Sequence, residues 1–202
     1  IRDRVIASSA SGRTIQTVKA AEVARKCGSK IISVTNESKT KLAQISDINI
    51  SLACKKPVGL SPSKTTTTTL LVHFLISLGL NELIYKSEPN LVMDLESSLE
   101  FIKKNIVHIE TEASKLASNF TSSNIFHFIG GGPNYGTALI AAAKLKELNL
   151  GHTEGNELED FCHAQILTIN KDDVAFLIMP NGKSYKRAKE LLLGLNKIGV
   201  YP

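Results

Sequence analysis

Ser9, Ser11 and Thr14 stand in the run Ile6-Ala-Ser-Ser-Ala-Ser-Gly-Arg-Thr14. An apolar strand-like stretch, Arg4 to Ala7, leads into this hydroxyl-rich turn. A helix-like segment follows, apolar at Ile15, Val18, Ala21 and Ala24. The first N–H groups of a helix lack internal partners and carry the positive end of its dipole. A phosphate placed there receives those N–H groups, and hydroxyls add neutral donors. The plainer reading is that Ser11 is an N-cap with spare serines beside it.

A second group with chemical potential lies downstream. Lys144 and Glu147 are three apart in Lys144-Leu-Lys-Glu147, so on a helix they share a face. By spacing alone they read as an ordinary surface pair. The stretch His152-Thr-Glu-Gly-Asn-Glu-Leu-Glu-Asp-Phe-Cys-His163 gathers carboxylates, a thiol and two imidazoles. It lacks the ligand spacing of a zinc site, and no metal site is expected. Gly130-Gly-Gly-Pro-Asn-Tyr-Gly136 is one residue longer than the dinucleotide fingerprint, with no acidic residue at the expected distance. It reads as a glycine turn admitting a sugar or another backbone. His73 and His127 sit in apolar runs and read as packed histidines. Of the five threonines from Thr65 to Thr69, only Thr65 is a candidate ligand contact, beside Ser63.

The elements that must hold these residues alternate between strand and helix, the pattern of a parallel sheet with helices on its faces. Strands are expected at Arg4–Ala7, Lys30–Val34, Ile48–Ala53, Ile125–Ile129 and Val174–Met179. Helices are expected from Thr14 to about Cys27, near Lys41–Ile45, from Ser63 to Leu78, at Tyr135–Leu148 and at Ser184–Leu195. Gly28 sits where a C-cap belongs, and Gly79 reads as the stop of the long helix. Pro57 to Pro62 reads as a loop. Helical spacing at Leu91, Leu95, Leu99, Ile102 and Ile106 predicts one or two connecting helices before the polar break at 119–124. The domain organisation expected is a first half at 1–86, connecting helices at 87–118 and a second half at 119–202.

Composition bounds the function. At 202 residues the chain is long enough for a real core. The net charge of +5 is spread thinly, Lys55-Lys56 and Lys103-Lys104 being the Lys-Lys pairs, and there is no Trp. This fits a mild attraction for anionic substrates, with no nucleic-acid partner expected. Cys27, Cys54 and Cys162 form no C-x-x-C pair, and a reducing cytosol is the expected compartment. Leu70 to Leu80 is too short to span a bilayer and no signal peptide is visible, so no membrane partner is expected.

Ser9-Ala-Ser-Gly-Arg-Thr14 resembles the S-x-S-G-x-T phosphate loop of the sugar isomerase (SIS) family. The likeness continues through Lys30-Ile-Ile-Ser-Val-Thr-Asn36, Leu42 to Asp47 and Ser63-Lys-Thr65, and resumes from Asn124 to about Pro202. It implies two flavodoxin-like α/β halves with parallel sheets flanked by helices. Both ends look cut against that fold, the first half starting at its second strand, so a longer chain is expected. The helix segment holding Lys144-Leu-Lys-Glu147 resembles the A-L-K-L-K-E signature of the isomerase domain of glucosamine-6-phosphate synthases. That similarity implies active-site roles for Lys144 and Glu147. The sixteen-residue step to His163 matches without a gap, and Glu154 matches an early Glu of the same segment. The family's His reaches a neighbouring subunit's site, which implies at least a homodimer.

The implied activity is aldose–ketose isomerisation of a phosphorylated sugar or aminosugar, with no cofactor. Phosphate would lie against Ser9, Ser11, Thr14 and Ser63. His163 would open the ring, Glu147 would move a proton between C1 and C2, and Lys144 would stabilise the developing oxyanion. Ala10, Pro57, Pro62, Cys162 and Ala164 depart from the synthase pattern. The departures imply a different phosphosugar, leaving a fructosamine-phosphate deglycase and a non-catalytic phosphosugar sensor as alternatives.

Overall fold

In the computed structural model, residues 3–54, 63–85, 90–120, 125–149 and 151–200 are described. The chain divides into two compact units, Ile1–Lys104 and Asn105–Pro202.

The first unit is built on β1 (Arg4–Ser8), β2 (Lys30–Thr35) and β3 (Ile48–Ser51). They form a parallel sheet in the order β1-β2-β3, with Ile6 opposite Ile32 and Ile32 opposite Ile48. The nearly unbroken apolar run of β2 suits a central strand covered on both faces, and Ile31 and Val34 are fully buried. Its hydroxyl residues Ser33 and Thr35 are buried as well, and paired. The Ser33 and Thr35 hydroxyls each donate to Asn49 Oδ1 at 2.8 Å. Helix α1 (Ile15–Lys26) turns Val18 and Ala21 into a core with Ala7, Ile31 and Leu42. It ends as its glycine suggests, Gly28 taking a left-handed φ of 88°. The short α2 (Lys41–Gln44) starts at Thr40, whose hydroxyl accepts from Ala43 N–H.

Helix α3 (Ser63–Tyr85) runs six residues beyond Gly79, which corrects the expected stop. A single interior glycine costs only about 1 kcal/mol, and the leucines on either side carry the helix on. The extension also corrects the expectation that this run is too short for a bilayer. Ser63–Ile84 is long and apolar enough to cross a membrane by length and composition. The expected loop from Pro57 lies outside the described residues. Helix α4 (Asn90–Ala117) is one helix, without proline or glycine, and the boundary between the units falls within it.

The second unit has β4 (Phe126–Gly130), β5 (Thr153–Glu157) and β6 (Val174–Ile178), parallel in the order β5-β4-β6. Helix α5 (Pro133–Asn149) makes the crossover from β4 to β5, and α6 (Leu158–His163) follows β5 directly. Strand β5 and helix α6 are absent from the expected elements. The Thr-Glu-Gly-Asn-Glu sequence of β5 shows no apolar alternation, yet Thr153 and Asn156 are buried. Gly155 explains the close packing here, because a Cβ on it would stand 2.7 Å from Leu139 Cα of α5. Helix α7 (Tyr185–Ile198) has apolar residues at helical spacing, and Ala188, Leu191 and Leu195 enter a core with Ile129, Leu158, Phe161 and Ala175.

Candidate functional site

The hydroxyl-rich turn forms at the carboxyl end of β1 and is held by its neighbours' backbones. Ser9 N–H donates to Val34 C=O at 3.0 Å, and Gly12 N–H to Ser9 C=O at 2.9 Å. Asn36 N–H donates to Ala10 C=O, and Leu42 N–H to Gly12 C=O. Gly12 has φ 61° and lies against Thr40, so a side chain there would collide with it. Within the turn the Ser9 and Thr14 hydroxyls bond at 2.9 Å, and Ser11 Oγ accepts from Arg13 N–H at 3.3 Å. Ser9 is buried, while Ser11 and Thr14 are exposed. The N-cap of α1 is Thr14, whose side chain makes no capping bond. Ser11 is therefore not the cap, because the turn is longer than the plain capping reading assumes. The arrangement offers the donors of a helix start beside three hydroxyls, the chemistry of an anion site.

Helix α3 reaches the same end of the sheet with its polar side. Cys54, after β3, donates its N–H to Asn36 Oδ1 at 2.8 Å and its thiol to Thr68 Oγ1 at 3.1 Å. Ser8 Oγ and His73 Nε2 are 2.8 Å apart. His73 is thus half-buried and hydrogen-bonded at the end of β1, a polar contact that its apolar sequence surroundings conceal. Ser63 is the first residue of α3, exposed, with Thr65 buried one half-turn on.

Lys144 and Glu147 occupy the second half of α5, where Lys144 Nζ is 2.8 Å from Glu147 Oε2. His163 is the last residue of α6. It is 80 % exposed, with Nε2 3.9 Å from Glu159 Oε2. Glu159 is held more firmly by Arg187, whose guanidinium donates to both carboxylate oxygens at 2.8 and 3.1 Å. That pairing raises the Arg187 pKa further. Glu157 caps α6 by accepting from Glu159 and Asp160 N–H. Burial pushes the Cys162 thiol up in pKa, partly offset by Arg187.

The structure therefore brings Ser9, Ser11 and Thr14 into one turn, and Lys144 to Glu147. It gives His163 and Glu147 separate ion-pair partners. A crevice of about 550 Å³ lies at the carboxyl ends of β4, β5 and β6, lined by Gly131, Asn134, Glu157, Lys183, Ser184 and Arg187 among others. None of Lys144, Glu147 and His163 lines it. The glycine turn admits its own chain, since a Cβ on Gly131 would stand 2.8 Å from Ser184 Cβ. His127 is buried between Glu154 at 3.5 Å and Asp173 at 3.9 Å, and burial lowers its pKa. No metal-binding group of His, Cys, Asp and Glu occurs among the described residues.

The family model of the SIS domain matches residues 2–78 and again 120–198. The chain belongs to the SIS domain family. Its two matched segments place an SIS repeat in each half, and the architecture is the expected one of parallel sheets flanked by helices. Among curated relatives, the glutamine–fructose-6-phosphate aminotransferase [isomerizing] of Thermotoga maritima is 27 % identical over 189 residues, covering 93 % of this chain and 31 % of the relative. The Sulfurisphaera tokodaii protein of the same name is 32 % identical over 172 residues, covering 84 % of this chain and 28 % of the relative. The chain thus spans under a third of these relatives. Among solved structures, the C-terminal domain of glucosamine-fructose-6-phosphate aminotransferase from Francisella tularensis aligns with a TM-score of 0.88 at 20 % identity, over 99 % of this chain and 58 % of that one. A glucosamine-6-phosphate deaminase from Thermotoga maritima aligns at 0.78 with 22 % identity, over 98 % and 59 %.

Proposed function

We propose that this SIS protein isomerises a phosphorylated sugar or aminosugar between aldose and ketose forms. The observation that carries the reading is the turn from Ser9 to Thr14, stitched to β2 and α2 and presenting hydroxyls beside the start of α1. In this reading the substrate phosphate takes the N–H groups of that helix start and the hydroxyls of Ser9, Ser11 and Thr14, with Ser63 contributing from α3. His163 donates a proton to the ring oxygen and opens the ring. Glu147 then removes the C2 proton of the aldose and returns it to C1, through an enediol. Lys144 stabilises negative charge on the sugar oxygen during that transfer. Each step moves a proton only, so the chemistry calls for no added oxidant or carrier.

The exposure of His163 suits a side chain that serves a neighbouring subunit's site, and we take the active form to be a homodimer in a reducing cytosol, where Cys27, Cys54 and Cys162 remain free thiols. The test is a panel of hexose phosphates, aminosugar phosphates and fructosamine phosphates followed by NMR. Interconversion of an aldose and a ketose phosphate with solvent exchange at C2 supports the proposal. Binding of the panel without turnover points to a sensor, and release of a free amine to a deglycase.

A further inference from the structure

Helix α3 is tied to the carboxyl end of the first sheet at two polar points. At the first, Ser8 Oγ and His73 Nε2 are 2.8 Å apart. Ser8 is the last residue of β1, so it stands immediately before Ser9, where the hydroxyl-rich turn begins. At the second, Thr68 Oγ1 donates to Lys64 C=O and accepts from the Cys54 thiol at 3.1 Å. Cys54 N–H donates to Asn36 Oδ1 at 2.8 Å, and Asn36 N–H donates to Ala10 C=O at 2.9 Å, inside the turn. The two ties end on either side of Ser9 and meet again on one helix.

These ties fix what apolar contact leaves loose. From Leu70 to Ile76 α3 is apolar except for His73. Hydrophobic burial has no direction, whereas a hydrogen bond demands a distance and an angle. Sliding α3 by one residue would carry each partner about 1.5 Å along the axis and about 100° around it, and would break both ties. Cys54 follows β3 and Ser8 ends β1, strands two places apart in the sheet. That gap is roughly 9.6 Å, and the five residues from Thr68 to His73 rise roughly 7.5 Å. The helix meets both points by lying across the sheet's end in one register. Stability alone calls for no histidine here. A half-buried imidazole in an apolar run costs desolvation that its bond to Ser8 only offsets, and a leucine would carry no such cost.

We infer that His73 is a positioning residue of the phosphate site. Through Ser8 it holds the strand end from which the turn springs. Through α3 it sets the register that brings Ser63, at the start of the same helix, to the phosphate. Ser63 is about 15 Å along the helix from His73, so the imidazole acts through Ser8 and the helix rather than on a phosphate oxygen. The inference deepens the phosphosugar reading of the turn and rests on it.

The test is binding of inorganic phosphate to the full chain by calorimetry, with urea titration of every variant and kinetics on the sugar phosphate that the chain turns over. His73→Leu and Ser8→Ala should each weaken phosphate binding about fivefold, the worth of one hydrogen bond, and the double variant no more than either alone. His73→Gln, whose amide nitrogen can stand where Nε2 does, should bind within about twofold of the unmodified chain. Ser63→Ala should cost about threefold in the unmodified chain and nothing further in His73→Leu. In His73→Leu, KM should rise with the loss of affinity while kcat holds within about twofold. A histidine that serves the fold alone would lower the urea midpoint of His73→Leu and leave phosphate affinity and its coupling to Ser63 unmoved, which overturns the inference. Additive losses at Ser8 and His73 overturn it too. An unmodified chain that binds no phosphate at about 10 mM, well above a millimolar Kd, overturns the phosphosugar reading and this inference with it. Phosphate binding that His73→Leu does not touch overturns the inference alone.

Discussion

The two SIS halves hold their candidate residues by different means. In the first, the Ser9–Thr14 turn is fixed by backbone bonds to β2 and α2, and its glycine is locked against Thr40. In the second, Lys144, Glu147 and His163 are side chains on helix surfaces, held by ion pairs at 2.8 and 3.9 Å. An anion site made of backbone donors can be complete within one turn. Proton transfer needs long side chains converging on a reacting atom, and those can be recruited from separate elements. The contrast extends to the buried polar groups. In the first half Ser33 and Thr35 find a shared acceptor in Asn49. In the second half the buried His127 ring has no hydrogen-bond partner among the described residues, with Glu154 at 3.5 Å and Asp173 at 3.9 Å.

The largest effect expected from breaking this division is at the proposed base. Glu147→Gln should lower C1–C2 proton exchange by about 100- to 10,000-fold, the usual worth of a positioned general base. Phosphate binding at the other half should stay within a factor of about two, well below the loss from removing a direct charged contact. An exchange rate measured by NMR that falls less than threefold would return Glu147 to the status of a surface partner of Lys144. Mixing Glu147→Gln with His163→Ala chains should recover part of the activity if one site draws on two copies.

The turn itself comes next. Gly12→Val places a β-branched residue at φ 61° against Thr40, and should cost about 2–4 kcal/mol of stability in urea titration. The corresponding change at Gly28, which also has positive φ but open space around it, should cost less, about 1 kcal/mol. Equal costs at the two glycines would show that the contact with Thr40 carries no weight. Smaller again, Ser11→Ala and Thr14→Ala should each weaken phosphosugar binding by roughly tenfold, one hydrogen bond to a charged group apiece. Calorimetry should find the fold's melting temperature unchanged in both.

The pH dependence offers the finest distinction. Burial holds His127 neutral in the folded chain below its ordinary pKa of about 6.5. The unfolded chain then binds the proton first, so stability falls as pH drops below about 6.5 and levels off once the folded value is passed. His127→Gln should flatten that slope. In the first half, Ile31 N–H and then Lys30 hold Asp47 below the usual carboxylate range. Its contribution is present above the ordinary carboxylate value and is lost as pH falls through the lower folded one, so Asp47→Asn should remove an acid limb at lower pH. Denaturation midpoints measured from pH 3 to 8 (roughly one unit beyond each ordinary value) would sort the two halves by which limb each variant removes.

Much of this protein was legible in its residues because the deciding physics is local. The apolar run of β2, the period of α7 and Gly28 at the end of α1 each speak through neighbours in the chain, and the structure places them as read. The elements missed were decided at a distance. Strand β5 reads as polar sequence, and it becomes a strand because Gly155 lets α5 lie against it and Thr153 finds Ala142 C=O at 2.8 Å. Helix α6 begins where Glu157 turns back to cap it by accepting from Glu159 and Asp160 N–H, a bond that the spacing of the carboxylates does not announce. Gly79 stays helical because one glycine's cost is smaller than that of ending a long leucine-rich helix there. His73, apolar by context, meets Ser8 only because α3 crosses the end of β1. Spacing along the chain determines which face a side chain takes on its own element. Which groups meet across elements depends on the packing of one element against another, and that is settled only when the sheet and its helices are assembled.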